Sequence, residues 1–264
     1  MVKKFFERFY LFLIFTFLYA PIIVLMVFSF NESKSRSMWT GFSLQWYEKV
    51  FQNSGIMSAL YYTVLLAVLS SVIATVIGTI SAIGIHSLGK WPKKVALELN
   101  YLPVLNPDIV TGVSLMLLFI FTNMRLGFLT LLLSHIVFNI PYVVISVLPK
   151  LRQLDQHIYE AALDLGATPG YAIRKVILPQ IMPGVFTGLL LAFTLSLDDF
   201  VISFFTTGSG VTNLSIEIYS MTRRGVSPEI NAISTLMFAV VLTLLVIVDR
   251  RLSRDNKGGT VTNK

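Results

Sequence analysis

The stretch LSLDDFVISFF, Leu195 to Phe205, puts Asp198 and Asp199 side by side inside a run that otherwise reads as lipid-facing helix. A third acid of this kind, Asp108, sits in YLPVLNPDIVTG. A charged aspartate at a membrane-helix centre costs about 2.5–3.5 kcal/mol on insertion scales, so each needs a compensating role. Carboxylates there suit a cationic substrate and would repel sulfate or phosphate. Successive helical residues are turned by about 100°, so the adjacent pair cannot point one way. One is expected to line a cavity while the other bonds to the bundle or to a partner subunit. Pro103, Asn106, Pro107 and Gly112 predict a kink beside Asp108, with freed carbonyls facing a cavity. A broken helix and an aspartate-bearing helix are the expected parts of a cation pathway. The competing reading has these acids protonated, or bonded to Ser196, Ser203, Thr111 or Asn106 for packing alone.

Other chemistry finds no support in the residues. GIHSLGKW, Gly84 to Trp91, matches seven positions of a phosphate-binding loop, but Trp91 stands where the magnesium-binding hydroxyl belongs and Pro92 follows. It reads as a helix end with snorkelling basic residues. His86, His135 and His157 lack metal-ligand spacing, and the absence of cysteine excludes thiol chemistry. The chain is not expected to be an enzyme, nor to bind a cofactor or metal itself.

The elements that must position the acids are membrane spans. The chain is 55% apolar and only 13% charged, too apolar for a soluble globular domain. Uncharged runs predict an all-α, polytopic protein with about six spans: Phe9–Phe30, Ser58–His86, Leu99–Thr122, Phe128–Leu148, Ile181–Thr206 and Glu229–Val248. Of the 21 lysines and arginines, 15 fall on the side holding both termini and six on the other, Lys34, Arg36, Lys49, Arg125, Arg223 and Arg224. That bias predicts cytoplasmic termini and explains the net charge of +7 without nucleic acid. Trp39, Trp46 and Tyr47 read as interfacial anchors. Asn213–Met221 reads as a short amphipathic helix near the outer mouth, and Ser227-Pro228-Glu229 as the start of the last span. The polar tail after Arg254 is expected to be disordered.

The longest cytoplasmic segment, between spans 4 and 5, carries EAALDLGATPGYAIRKVILP, Glu160 to Pro179. Tyr159–Leu165 predicts one helix, stopped by Gly166. Thr168 and Pro169 predict the start of a second, Pro169–Leu178, which Pro179 ends. Two short helices with a bend make a compact docking knob; an amphipathic loop lying on the lipid surface is the alternative.

EAA, Gly166 four positions after Ala162, and the closing VILP resemble the signature of permease subunits in binding-protein-dependent ABC importers. The resemblance implies a type I ABC importer permease fold and a knob inserted into a separate ATPase. Glu160, Ala161, Ala162, Asp164 and Gly166 are the implied coupling residues. NPDIVTGVSLMLLF, SHIVFNIPYVV, FTLSLDDFVISFFTTG and IYSMTRRGVSPEINA extend the resemblance over nearly the whole chain, to spermidine/putrescine permeases of the PotC type. It implies an ATP-driven polyamine importer of the bacterial inner membrane. Expected partners are a sister permease in a heterodimer, two copies of a cytoplasmic ATPase holding ATP and magnesium, and a periplasmic polyamine-binding protein. Asp108, Asp198 and then Asp199 become the expected polyamine contacts. The implied organisation is residues 1–57 as first span and periplasmic loop, 58–249 as transmembrane domain with coupling loop 150–180, and 250–264 as cytoplasmic tail. An importer of ferric ion or another amine, or an ion-coupled secondary transporter using Asp108 and Asp198, are the alternatives.

Overall fold

The computed structural model describes residues 2–34, 38–155, 157–224 and 228–258. Every regular element among them is helical. The chain divides into two units, one formed by Met1–Met57 with Glu217–Lys264 and the other by Ser58–Ile216.

In the first unit, α1 (Val2–Ser29) and α12 (Pro228–Gly258) pack together, and α2 (Gln45–Gln52) packs on α12. The turn after α1 is closed by Asn31, whose Nδ2 donates to the Met38 carbonyl and whose Oδ1 accepts from the Thr40 N–H. Trp46 is not an interfacial anchor. It is 2% exposed and its indole N–H donates to the Asn31 carbonyl at 2.6 Å, because a buried indole needs an acceptor and the loop supplies one. Trp39 remains exposed. Ser227 lies outside the described residues, and Pro228 opens α12. The helix continues through Arg254 to Gly258, and the rest of the tail expected to be disordered lies outside the described residues.

Four helical segments are long and apolar enough to cross a bilayer: Arg8–Ser29, Ser54–Ser87, Phe128–Gln153 and Pro169–Asp198. The pair α4 (Lys90–Leu105) and α5 (Asp108–Phe121) is together apolar enough for a fifth, but it is bent by 103°. The kink expected at Pro107 is therefore a full break, with Asn106 extended between the halves. The sixth expected span is helical, and the apolar part of α12 that the structure describes is Pro228–Thr243.

The second unit is built around α6 (Phe128–Gln153), which packs along α9 (Leu178–Asp198). Lipid tails are as apolar as leucine, so helices in a bilayer hold together by close packing rather than by hydrophobic exclusion. Val143 of α6 is the pivot of that packing. A Cβ at Gly78, in α3 (Ser54–Ser87), would lie 2.7 Å from Val143 Cβ; one at Gly188 of α9 would lie 3.2 Å from Val143 Cα. Gly184 closes the same seam one turn away against Ser146 and Val147. A polar contact ties the same three helices, with Ser196 Oγ 2.8 Å from Ser70 Oγ and accepting from Asn139 Nδ2 at 2.6 Å.

Gly78→Val forces an overpacking that costs about 1–3 kcal/mol. It should lower the detergent melting temperature of the purified protein clearly. Gly84→Val, where an added Cβ meets nothing within 4 Å, should leave it nearly unchanged.

Candidate functional site

Span 5 is not one helix. It stops at Asp198, the last residue of α9, and restarts as α10 (Val201–Thr206). Asp199 between them has φ −63° and ψ 126°, an extended backbone. The free N–H groups at the start of α10 account for the change, because Asp199 supplies their acceptors. Its Oδ1 accepts from Ile202 N–H at 3.2 Å and its Oδ2 from Ser203 N–H at 2.8 Å. The Asp199 side chain is 8% exposed and its Oδ2 lies 3.5 Å from Nε2 of His135, itself 1% exposed.

The lock around this break extends through three more elements. His135 Nε2 is 2.9 Å from Ser203 Oγ, which also accepts from Asn213 Nδ2 at 2.7 Å. The same Asn213 Nδ2 donates to the Asp199 carbonyl at 3.2 Å, while its Oδ1 accepts from Ile216 N–H at the start of α11 (Leu214–Arg224). Leu214 N–H donates to Thr63 Oγ1 of α3 at 2.7 Å. From the sequence His135 read as a bundle residue and Asn213 as the start of a short helix at the outer mouth, neither as a partner of Asp199. A buried histidine on a span was a faint signal, and its pairing with Asp199 depends on two helices 64 residues apart meeting.

Asp198 is turned the other way and is exposed, and no hydrogen bond or ion pair engages its carboxylate among the described residues. Only its backbone carbonyl accepts, from Ser215 Oγ at 3.5 Å. Asp108, first residue of α5, is likewise exposed. The packing of α5 on α10 relates the two acids. Gly112 of α5 lies against Ile202 and Phe205 of α10; Asp108 precedes Gly112 by one helical turn, and Asp198 precedes Ile202 by four residues across the break. The far ends meet too: Thr130 Oγ1, at the start of α6, donates to the Thr206 carbonyl at 2.9 Å, and Gly208 lies against the Leu126 backbone. Two half-helices thus run in parallel, each following a break in its span, with an unengaged carboxylate beside each break: Asp108 opens α5, and Asp198 closes the helix that precedes α10.

At the other end of span 5 lies the EAA segment. The first helix, α7 (His157–Asp164), ends at Gly166 with φ +87°. Gly166 N–H donates to the Leu163 carbonyl and Ala167 N–H to the Ala162 carbonyl, the paired bonds of a Schellman cap that only glycine forms without strain. Glu160, Ala161, Asp164 and Gly166 are exposed, Ala162 is half-buried, and Leu165 stands 89% exposed at the tip. Beside it Ala162, Leu165, Gly166, Ala167, Thr168, Tyr171 and Val176 line an open groove of about 520 Å³. Thr168 and Pro169 open the second helix, α8 (Pro169–Ala172). Pro179 does not end it. A π turn at Ile173–Ile177 leads directly into α9, and the wider i→i+5 turn accommodates the proline's missing N–H. Pro169–Asp198 is therefore one 30-residue helical segment, roughly 45 Å long, with the exposed knob at one end and Asp198 at the other.

Residues 74–257 match the family model described as the inner membrane component of binding-protein-dependent transport systems. The chain belongs to this family. It is 37% identical over 256 residues to the spermidine/putrescine transport system permease protein PotC of Haemophilus influenzae, covering 97% of this chain and 99% of that one. Identity to PotC of Escherichia coli K12 is 40% over 248 residues, 94% of each chain. Identity to the putrescine permease PotI of the same organism is 41% over 234 residues, 86% of this chain and 83% of that one. Among solved structures, a bacterial ABC transporter that imports alginate aligns with TM-score 0.74 at 18% identity, over 99% of both chains. An inward-facing methionine ABC transporter aligns with TM-score 0.63 at 18% identity, over 76% of this chain and 98% of that one. The fold is that of an ABC importer permease, and the chain is a multi-pass inner-membrane component of a transport system that works with a binding protein.

The two adjacent aspartates should separate by stability. Asp199→Ala removes the two carboxylate acceptors of the Ile202 and Ser203 N–H groups and leaves those buried donors unpaired, a loss of about 1–3 kcal/mol. Its thermal unfolding in detergent should shift down, while Asp198→Asn should unfold with the parent.

Proposed function

We infer that this chain is the permease subunit of an ATP-driven polyamine importer and forms half of its translocation pathway. The observation that carries the reading is near full-length similarity to PotC, at 37–40% identity, in a chain whose two broken spans expose unengaged carboxylates. A polyamine is a flexible chain of ammonium groups separated by methylenes. Asp108 and Asp198, beside the breaks of two neighbouring spans, offer it successive anionic contacts. Asp199 serves the same site chiefly by holding the break open, its oxygens being engaged by α10.

The remaining parts of the machine belong to other chains: a sister permease completing the pore, two cytoplasmic ATPase subunits that hold ATP and magnesium, and a periplasmic polyamine-binding protein. This chain itself carries no cofactor. Its termini and knob lie on the cytoplasmic side, in keeping with the bias of basic residues. Glu160, Ala161, Ala162, Asp164 and Gly166 dock on the ATPase, with Leu165 as an apolar anchor. Movement of the knob reaches Asp198 along one helix, so ATP turnover shifts the access of the site from one side to the other.

Uptake of labelled spermidine and putrescine, in cells lacking other polyamine importers and supplied with the partner subunits, tests this reading. Asp108→Asn and Asp198→Asn, matched for membrane abundance, should each lose about tenfold or more in uptake, the size expected when a desolvated charge pair loses one partner. No uptake of either polyamine by the parent would overturn the substrate. Coupling has its own test. Gly166→Val places a β-branched residue at positive φ and should suppress substrate-stimulated ATP hydrolysis at unchanged abundance, whereas Gly170→Ala, an open position, should not.

A further inference from the structure

Behind the knob lies a cavity of about 310 Å³ that the transport reading does not use. It is bounded by Ile83, His86 and Ser87 at the end of α3, by Leu151, Leu154 and Asp155 at the end of α6, and by Tyr159, Ile173 and Ile177 of the EAA segment. Its volume falls at the lower end of small-molecule sites, about 300–1,000 Å³. Five of the nine lining side chains are aliphatic, so an occupant must be largely hydrocarbon. The edge is basic. Lys93 Nζ donates to the His86 carbonyl at 3.0 Å, and Arg152, exposed, lies in sequence between the lining residues Leu151 and Leu154 at the end of α6. Asp155 is the one acid of the lining, and its Oδ1 accepts from His157 N–H. Trp91, 77% exposed beside Lys90, Lys93 and Lys94, marks this level as the membrane–water interface.

Hydrocarbon walls, a cationic edge and an interfacial position fit one class of molecule. We propose that this cavity is a binding site for an anionic phospholipid, with an acyl chain among Ile83, Leu151, Ile173 and Ile177 and the phosphate between Lys93 and Arg152. Basic pockets between spans on this side of a membrane are suited to such headgroups. The walls give the site a consequence. Tyr159 lies on α7 and Ile173 and Ile177 on the π turn, so an occupant braces both arms of the knob from behind.

Native mass spectrometry of the full-length protein, released from micelles containing phosphatidylglycerol or phosphatidylcholine, tests the proposal. The parent should retain one phosphatidylglycerol with about tenfold or greater preference, the scale set by two basic side chains at a membrane surface. Lys93→Gln with Arg152→Gln should abolish the preference, and Ile177→Trp, which fills the cavity, should abolish retention of either lipid. Lys90→Gln with Lys94→Gln removes equal charge but leaves the Lys93–His86 contact, and should keep it. Glycerol phosphate and inorganic phosphate should not displace the lipid. Equal retention of the two lipids by the parent would overturn the site. So would loss of preference in the Lys90/Lys94 variant matching that in the Lys93/Arg152 variant, since adhesion would then be diffuse. Displacement by phosphate alone would leave an anion site and remove the lipid.

Discussion

A bilayer offers the backbone no water, so a helix that breaks inside it must find internal partners for the groups it frees. That constraint shapes the second unit. Two of its spans break, at Asn106–Pro107 and at Asp199, and the break in span 5 is satisfied by side chains from four directions. Asp199 caps α10, Ser203 and His135 close over the cap, Asn213 bonds both the break and the next helix, and Thr63 receives the first N–H of α11. The lock consumes one aspartate and releases the other. Asp198 is left facing outward with its charge unspent because Asp199, one residue on, has turned in.

Small residues make this arrangement reachable. With Gly78, Gly184 and Gly188 on the flanking helices, the backbone of α6 approaches α3 and α9 closely enough for Ser70, Asn139 and Ser196 to hydrogen-bond across the seam. Larger side chains would hold the helices apart, and those polar groups would sit unpaired in a medium that penalises them. The tight seam also makes span 5 a stiff member. Close-packed interiors transmit displacement rather than absorb it, and the helical segment from Pro169 to Asp198 crosses the seam end to end. The π turn near its base is the place where its geometry departs from the regular helix, directly beside the basic-edged cavity.

Much was legible in the residues. Membrane class and helical content followed from hydropathy, because about 20 apolar residues can cross a bilayer only as a helix. The stop at Gly166 and the start at Thr168–Pro169 were legible because caps are local chemistry within a few residues. So was the kink at Pro107. Asp108, Asp198 and Asp199 stood out because carboxylates in apolar runs are costly wherever the run folds.

What the residues could not say was which of the adjacent aspartates would turn inward, because His135, Ser203, Asn213 and the α10 N–H groups meet Asp199 only after α6, α10 and α11 have packed. Nor could they show that Pro179 would lie inside a continuing helix. Proline ends an isolated helix by local rules, and here a π turn packed against α7 carries the chain past it. The burial of Trp46 likewise depends on a loop carbonyl 15 residues away. Local sequence determined where helices begin, where they bend and where charge must be accounted for. Tertiary packing decided which charges are consumed in holding the bends and which stay exposed and unengaged, because hydrogen-bond partners distant in sequence exist only in the folded bundle.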